Sequence, residues 1–591
     1  MKLSDYIADF LSSQQIKHVF VVSGGAALSL IESISRATNI DFVCTQHEQS
    51  GAMAADAYSR VSHNIGAAVA TSGPGVTNML TGIACSYYDS IPCIFIAGQV
   101  ATFRQKGELP VRQVGFQETD TIDIFKKVTK YCAEVSDPAL IRLELEKCVY
   151  LAKSGRPGPV LLSVPDDLQR VDVDVASLPR FVPVADDQQL DDQLPLKQIL
   201  GLIRRSSRPV FIFGNGIRLA KAGNVAVAVA ERLGIPVAPT WAVLDIIDSQ
   251  NELATGTFGT HGTRHGNFAV QNADLVISVG ARLDSKATGS PPATFARAAK
   301  KVVVDIDRAE LDKFSHLGIR TEIAIRQDAL KFLEGLYAEI ELLKSPRPDF
   351  GAWREQIANW RHRYPICPDS YYREQDTNPY VFIKRLSHRC NSNSVVCVDT
   401  GCSVAWLMQA FEVKEGQRVL HDCNNTAMGW SIPAGIASCF ASPTSEVVCI
   451  IGDGSLMMTI HELATIAKHN LPIKILVIDN AGHSMIRQTQ DQWFASDYFA
   501  SSPEGGLPQL DFIAIGRAFG LRTETISNNF SIDDGLLSVF SSKGPVLCVV
   551  KIRPEHRVLP QVKFGCPNED QDPQLSRAEL DGNMLIPSLK T

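Results

Sequence analysis

The feature that most narrows what this chain can fold into is a recurring short run of residues, apolar at nearly every position and rich in Val and Ile, that ends in glycine or a carboxylate. HVFVVSGG (18–25), FVCTQ (42–46), GAAVATSGPG (66–75), CIFIAGQ (93–99) and VLLSVPDDLQ (160–169) form a first set. RPVFIFGNG (208–216), ADLVISVGARLD (273–284) and KKVVVDIDRAEL (300–311) form a second. SVVCVDTG (394–401), EVVCIIGDG (446–454), IKILVIDNAG (473–482) and GPVLCVVKI (544–552) form a third. A strand without a polar face belongs inside a parallel sheet covered by helices on both sides, and amphipathic stretches lie between the runs. The expectation is an α/β chain of three doubly wound domains with central, mainly parallel sheets, over 1–178, 196–335 and 379–555, followed by a tail at 556–591.

The 591 residues accommodate three or four domains. Residues 171–195, acidic and Pro-bearing, read as a boundary, and 340–378 as a helical linker. The tail, rich in Pro, Asn, Asp and Gln, reads as loop-like and placed to act as a lid. A net charge of -7 excludes the basic face that nucleic acid requires. No run of about 18 apolar residues is present to cross a membrane. MKLSDYIADFLSSQQ has acidic and polar residues where a secretion signal needs an apolar run. The 14 cysteines show no CxxC or zinc spacing and read as reduced thiols, so a cytoplasmic protein is expected.

The third block holds the strongest constellation. Its strand EVVCII delivers Gly452-Asp453-Gly454-Ser455, a helix over LMMTIHELATIAKHN is expected next, and the following strand ends in Asp479-Asn480-Ala481-Gly482. In a right-handed βαβ unit both strand ends share one edge, beside the start of the crossover helix. Asp453 and Asn480 are therefore expected to be neighbours. A carboxylate and an amide oxygen are hard ligands suited to Mg²⁺, with the Gly482 carbonyl as a third and diphosphate oxygens and water completing an octahedron. The glycines admit phosphate to the backbone, where free N–H groups favour its charge. Gly-Asp-Gly alone is an ordinary turn after a strand. The second half, at βαβ spacing, is what points to a metal.

The run from Gly452 to Asn480 resembles the thiamine diphosphate (ThDP) motif that opens with GDG and closes with Asn, and its continuation to Gln488 resembles the acetolactate synthase branch of that family. The similarity extends over nearly the whole chain. It implies ThDP and Mg²⁺ held between the third block of one subunit and the first block of another, hence a homodimer or homotetramer. Glu48, heading SGAMAADAYSRV, is implied as the catalytic residue. It would hydrogen-bond the aminopyrimidine and favour its imino tautomer, which is acid–base chemistry relayed through the cofactor. By itself, a glutamate in a helix's first turn is ordinary. Gly24, Pro74 and Asn78 are implied near the pyrimidine, and Met428, beside Gly429, under the bridge between the rings. Gly401, Cys402, Ser403, Gly454, Ser455, His483 and Met485 are implied around the remainder of the cofactor.

The resemblance also bears on the reaction. Aldehyde-releasing relatives carry a His-His pair where this chain has Gly107 to Asp120, a segment without histidine. Phe116 and Gln117 are implied to border the substrate, with Ile486 and Thr489. Without a ready proton donor, the two-carbon unit left when pyruvate loses CO₂ can attack a second carbonyl. The implied activity is that of a transferase, a carboligase acting on pyruvate and either a 2-oxo acid or a nucleotide-linked keto-sugar. Two departures favour the larger acceptor. Thr489 stands where acetolactate synthases place Trp, which predicts a wider and more polar pocket. Gly401-Cys402-Ser403 replaces a Gln-His-Gln run. The Val111 to Gln117 segment resembles the branch that makes two-carbon branched deoxysugars such as yersiniose.

In the middle block, Gly214-Asn215-Gly216, His261, Gly280, Arg282, Asp284, Asp305 and Asp328, with Arg156 of the first block, resemble elements that bind FAD in acetolactate synthases. The family's arginine just beyond is Lys286, which lacks the bidentate fork. FAD, if held, is expected to be structural rather than redox-active. Two alternatives stand beside the carboligase: a flavin-dependent 2-oxo acid oxidase or decarboxylase, and a non-catalytic ThDP-fold binding protein.

Overall fold

Gly66–Ala70, Cys93–Gln99 and Val160–Pro165 are buried at every position. In the computed structural model, which describes residues 1–183, 190–342 and 348–589, they are interior strands of a six-stranded sheet. Its order is Asp41–Cys44, His18–Val21, Gly66–Ala70, Cys93–Gln99, Val160–Pro165, Tyr131–Glu134. A five-stranded sheet follows in the order Ile323–Arg326, Lys300–Asp305, Leu275–Val279, Pro209–Phe213, Val237–Pro239. The third sheet runs Arg418–Leu420, Val395–Val398, Val447–Gly452, Lys474–Asp479, Val546–Lys551, Arg522–Ile526. Every pairing within these sheets is parallel. The expected class, three doubly wound α/β domains, is the one observed.

The first and third sheets share one winding. Numbered along the chain, each is ordered second, first, third, fourth, sixth, fifth. Such sheets reverse direction between the first and third strands, and the crevice past the carboxyl ends of those strands is where ligands bind. Gly24 and Thr71 follow the two strands at that point in the first domain; Gly401 and Asp453 do so in the third. The middle sheet reverses between Pro209–Phe213 and Leu275–Val279, ahead of Gly214 and Gly280.

The matching helices of the two related domains, Glu48–Ser62 and Ser431–Ala441, pack against each other. Gly51, Ala52, Ala54, Ala55 and Ala57 are all buried in the first, and such small side chains permit a close approach of helix axes. One apolar core therefore runs through both domains. A fully buried carboxylate, Asp56, crosses this contact. It accepts from Arg60 Nε at 2.9 Å, Ser86 Oγ at 3.1 Å and Trp430 Nε1 at 3.1 Å, and Arg60 also reaches Asp89 at 2.8 Å.

Three expectations are corrected. The stretch after Asp453 is not one helix. It comprises Asp453–Leu456, a 3₁₀ turn at Ile460–Glu462 and Leu463–His469, because the Gly429 backbone is pressed against Met458 and Thr459, and Thr459 Oγ1 donates to the Gly429 carbonyl at 2.9 Å. The 340–378 stretch is helical as expected, with helix Gly351–Arg363, but it is part of a domain rather than a linker, since Trp353, Ile357 and Trp360 are buried in the middle-domain core. Residues 343–347 of that stretch, 184–189 of the earlier boundary, and 590–591 of the tail lie outside the described residues. The tail is not a free loop. Gln488 and Tyr380 bind its backbone at Val558 and Leu559, Arg297 pairs with Glu569 at 2.7 Å, and helix Arg577–Asn583 seats Leu580 in the middle domain. Asn568, Glu569 and Gln571 are buried and bonded, to the Ala287 carbonyl, Arg297 and the Gly262 carbonyl, which composition does not reveal.

Candidate active site

Gly452 pairs with Ile478 on adjacent strands, so the residues after each strand leave the sheet side by side. Asp453 is buried, and its oxygens accept backbone N–H bonds, Oδ1 from Gly454 and Oδ2 from Gly482, each at 2.8 Å. Asn480 is 6% exposed, and its Oδ1 lacks a hydrogen-bond partner among the described residues. An unpaired buried acceptor costs about 1–3 kcal/mol, a cost that a cation at this point removes. Burial, with a smaller contribution from Asp479, pushes the Asp453 carboxyl up to about 6; a divalent ion favours its ionised form. Among the described residues no group of three His, Cys, Asp or Glu side chains forms a metal cage. An ion here would complete its shell with oxygens beyond these side chains, from a backbone carbonyl, water or a bound ligand. The donor set fits Mg²⁺ shared with a diphosphate.

Close approach dictates glycine twice. Gly482 has φ +137°, and a Cβ there would stand 2.5 Å from the Ser501 carbonyl oxygen. A Cβ on Gly454 would stand 2.4 Å from His483 Cε1, so the His483 ring lies directly on that backbone. Ser403 Oγ and Ser455 Oγ both come within 4.0 Å of the Cβ position of Gly452. Gly401 caps the helix Cys402–Ala410 at the same edge. Met428, half-buried, precedes Gly429, whose N–H donates to Asp399 at 3.0 Å. Met485 packs into the third-domain core. The third-domain candidates thus collect at one sheet edge.

In the first domain Glu48 begins its helix, half-buried, and its Oε2 accepts from Asn78 Nδ2 at 2.9 Å. Thr71 Cγ2 sits 2.4 Å from the Cβ position of Gly24 and 2.7 Å from that of Gly75, which draws Gly24, Pro74 and Asn78 around Glu48. Gln117 lies against Gly73, bringing Phe116, 87% exposed, to the same loop. No hydrogen bond joins Glu48 to Asp453, Asn480 or Gly482 among the described residues of the single chain.

Comparison with known proteins matches every domain. The model described as thiamine pyrophosphate enzyme, N-terminal TPP binding domain, covers residues 1–124; the central domain of the same enzymes covers 196–336; the C-terminal TPP binding domain covers 399–550. The acetolactate synthase large subunit of Parasynechococcus marenigrum (strain WH8102) is 32% identical over 585 residues, 97% of this chain and 91% of its own. Acetolactate synthase isozyme 1 large subunit of Escherichia coli (strain K12) is 30% identical over 96% of this chain and 97% of its own. The chloroplastic acetolactate synthase of Arabidopsis thaliana is 31% identical over 95% and 83%. The chain belongs to the acetolactate synthase family of ThDP enzymes. It is an enzyme of the transferase type.

On this acetolactate synthase-family scaffold, three residues with no assigned role in the sequence reading hold the site together. Asp399, fully buried, accepts from Gly429 and Ser431 backbone N–H groups and so fixes the turn that carries Met428. Arg487 donates to the Ser501, Asn480 and Ala481 carbonyls and laces the Asn480–Gly482 turn to the segment beyond helix Ser484–Trp493. Glu118 accepts three backbone N–H bonds, from Lys106, Val114 and Gly115, and shapes the loop bearing Phe116. Each is one polar residue near a turn, and only the distant backbone it grips reveals its role. Thr489 is half-buried, and its hydroxyl donates to the Met485 carbonyl at 3.2 Å. Ile486 is half-exposed on the same helix.

The middle domain of this family member holds a cleft lined by Arg156, Gly214, Asn215, Gly216, His261, Gly280, Arg282, Asp284, Asp305 and Asp328 together. At its floor a Cβ on Gly214 would stand 2.3 Å from the Gly280 carbonyl, so two strand-end loops meet backbone to backbone. Both ring nitrogens of His261 are buried without a hydrogen-bond partner among the described residues, and burial, then Lys286, lowers its pKa to about 4. Lys286 lies over the Trp241 ring at 5.4 Å. Several candidates already have partners: Arg156 pairs with Asp307 and Glu310, Arg282 with Asp284, and Asp328 caps the helix Ala329–Glu341. No helix among the described residues is long and apolar enough to cross a membrane.

Proposed function

We propose that this enzyme removes CO₂ from pyruvate and joins the remaining two carbons to a second carbonyl compound. Asp453, Asn480 and the Gly482 carbonyl would hold Mg²⁺, and through it the diphosphate. ThDP, when bound, supplies the centre at which a 2-oxo acid loses CO₂ while its two-carbon remainder stays reactive. Glu48 then carries a proton at its carboxyl group, oriented by Asn78. Exposed apolar side chains at Phe103, Phe116, Met458 and Phe564 favour a second copy that covers the site and brings its own Glu48 to it. The orphaned His261 nitrogens favour a flavin nucleotide in the middle cleft, in a non-redox role.

The observation that carries ligation over aldehyde release is the Gly107 to Asp120 loop, which presents Phe116 and Gln117 and no imidazole proton donor. Thr489 leaves room for an acceptor bulkier than a 2-oxo acid, and we assign a nucleotide-linked keto-sugar as the preferred partner. Pyruvate supplied with 2-oxo acids and with nucleotide-linked 4-keto-sugars, followed by mass spectrometry, tests this. Acetaldehyde as the sole product would end the carboligase reading.

A further inference from the structure

A cavity of about 500 Å³ opens where the middle domain, helix Gly351–Arg363 and the third domain meet. It shares no lining residue with the flavin cleft or the diphosphate loops. Its volume falls within the roughly 300–1,000 Å³ of small-molecule sites. Leu244, Ile247, Met408 and Phe411 give it apolar walls.

Two of its polar groups, Arg361 and His265, are short of partners, whereas Gln409, Thr257 and Glu412 are already engaged. The Arg361 guanidinium donates to the Ala254 carbonyl, its one hydrogen-bond partner among the described residues, and no ion pair neutralises it there. Burial lowers its pKa. Beside it His265 is 6% exposed, and its Nδ1 is buried with no hydrogen-bond partner. Burial, then Arg361, lowers the imidazole to about 3, so it stands neutral with a ring N–H to donate. Gly256, at φ +79°, preserves this arrangement: a Cβ there would stand 2.8 Å from His265 Nε2. Glu412, the carboxylate in the lining, is already held by Lys384 at 3.1 Å and His388 at 2.7 Å. Glu412 acts on Arg361 only through space and makes no ion pair with it, so a partly desolvated, planar guanidinium with one hydrogen-bond partner remains open to a carboxylate.

We propose that this cavity binds a small organic carboxylate, its charged end on Arg361 and His265 and its short hydrocarbon body against Leu244, Ile247, Met408 and Phe411. Calorimetric titration of the full-length protein, saturated with ThDP and Mg²⁺, with 3-methylbutanoate tests this, using 3-methylbutanamide and inorganic phosphate as comparisons. One carboxylate per chain is expected, with the amide and phosphate at least 10-fold weaker. Arg361→Gln should weaken the carboxylate at least 10-fold. Ala358→Trp, which plugs the rim where Ala358 is exposed, should do the same with Arg361 intact, and decides the matter alone if Arg361→Gln fails to fold. Wild-type affinity weaker than about 1 mM, equal binding by the wild type and Ala358→Trp, or a preference for phosphate overturns the proposal.

Discussion

The carboxylate of Asp453 and the backbone N–H of Gly482 are 2.8 Å apart, although a helical crossover separates them in the chain. One oxygen of the carboxylate thereby positions the turn that presents Asn480. Asp453→Asn keeps an acceptor for that N–H and removes the negative charge. Magnesium-dependent ThDP affinity should fall by at least about 100-fold with the fold intact. Unchanged affinity by calorimetry would contradict the metal assignment.

Glu48→Gln retains an oxygen to accept from Asn78 but no carboxyl proton. Pyruvate consumption should drop by roughly 10²–10⁴, while ThDP affinity stays within a few-fold. Full turnover in the variant would remove Glu48 from the chemistry.

Arg60→Met strands Asp56 and Asp89, whose side chains are 0% and 3% exposed. Leaving buried carboxylates without their cation costs about 3–5 kcal/mol. Denaturant unfolding should begin at a clearly lower midpoint; an unshifted midpoint would mean that Trp430 and Ser86 suffice.

Burial raises the Asp305 carboxyl to about 6, against an ordinary value of 3.8. A raised carboxyl destabilises the folded state as pH climbs through that window, by on the order of 3 kcal/mol once fully ionised. Asp305→Asn should therefore match wild type near pH 4, gain on it between pH values of about 4 and 6, and hold that advantage above. Thermal midpoints followed across pH check this, and a difference that does not vary with pH would refute it.

Thr489→Trp refills the space beside Ile486. Selectivity, as the ratio of kcat/KM values, should move from keto-sugar towards 2-oxo acid acceptors by roughly 10–200-fold. An unmoved ratio would place the acceptor elsewhere.

Every interior strand of the three sheets was legible as an apolar run, because a strand covered on both faces has no polar side. Of the edge strands, Tyr131–Glu134, Val237–Pro239, Ile323–Arg326, Arg418–Leu420 and Arg522–Ile526 were not. Tyr131–Glu134 has no buried position and Arg522–Ile526 one, so neither leaves an apolar run to read. The meeting of Asp453 with the turn at Asn480 and Gly482 was legible because both halves sit at fixed places in one βαβ unit. Arg487 was not, since its three carbonyl partners come together only after the chain has turned past Ser501. The tail failed for a related reason: Glu569 and Gln571 look solvated by composition yet are buried by bonds to Arg297 and the Gly262 carbonyl.

Using a single wiring plan for both outer domains has a cost in autonomy. Each half carries an alanine-lined helix shaped for its counterpart, so cutting the polypeptide between them would bare two matching sticky faces at once. Fragments of this protein should consequently seek each other, or clump, before they behave as independent modules.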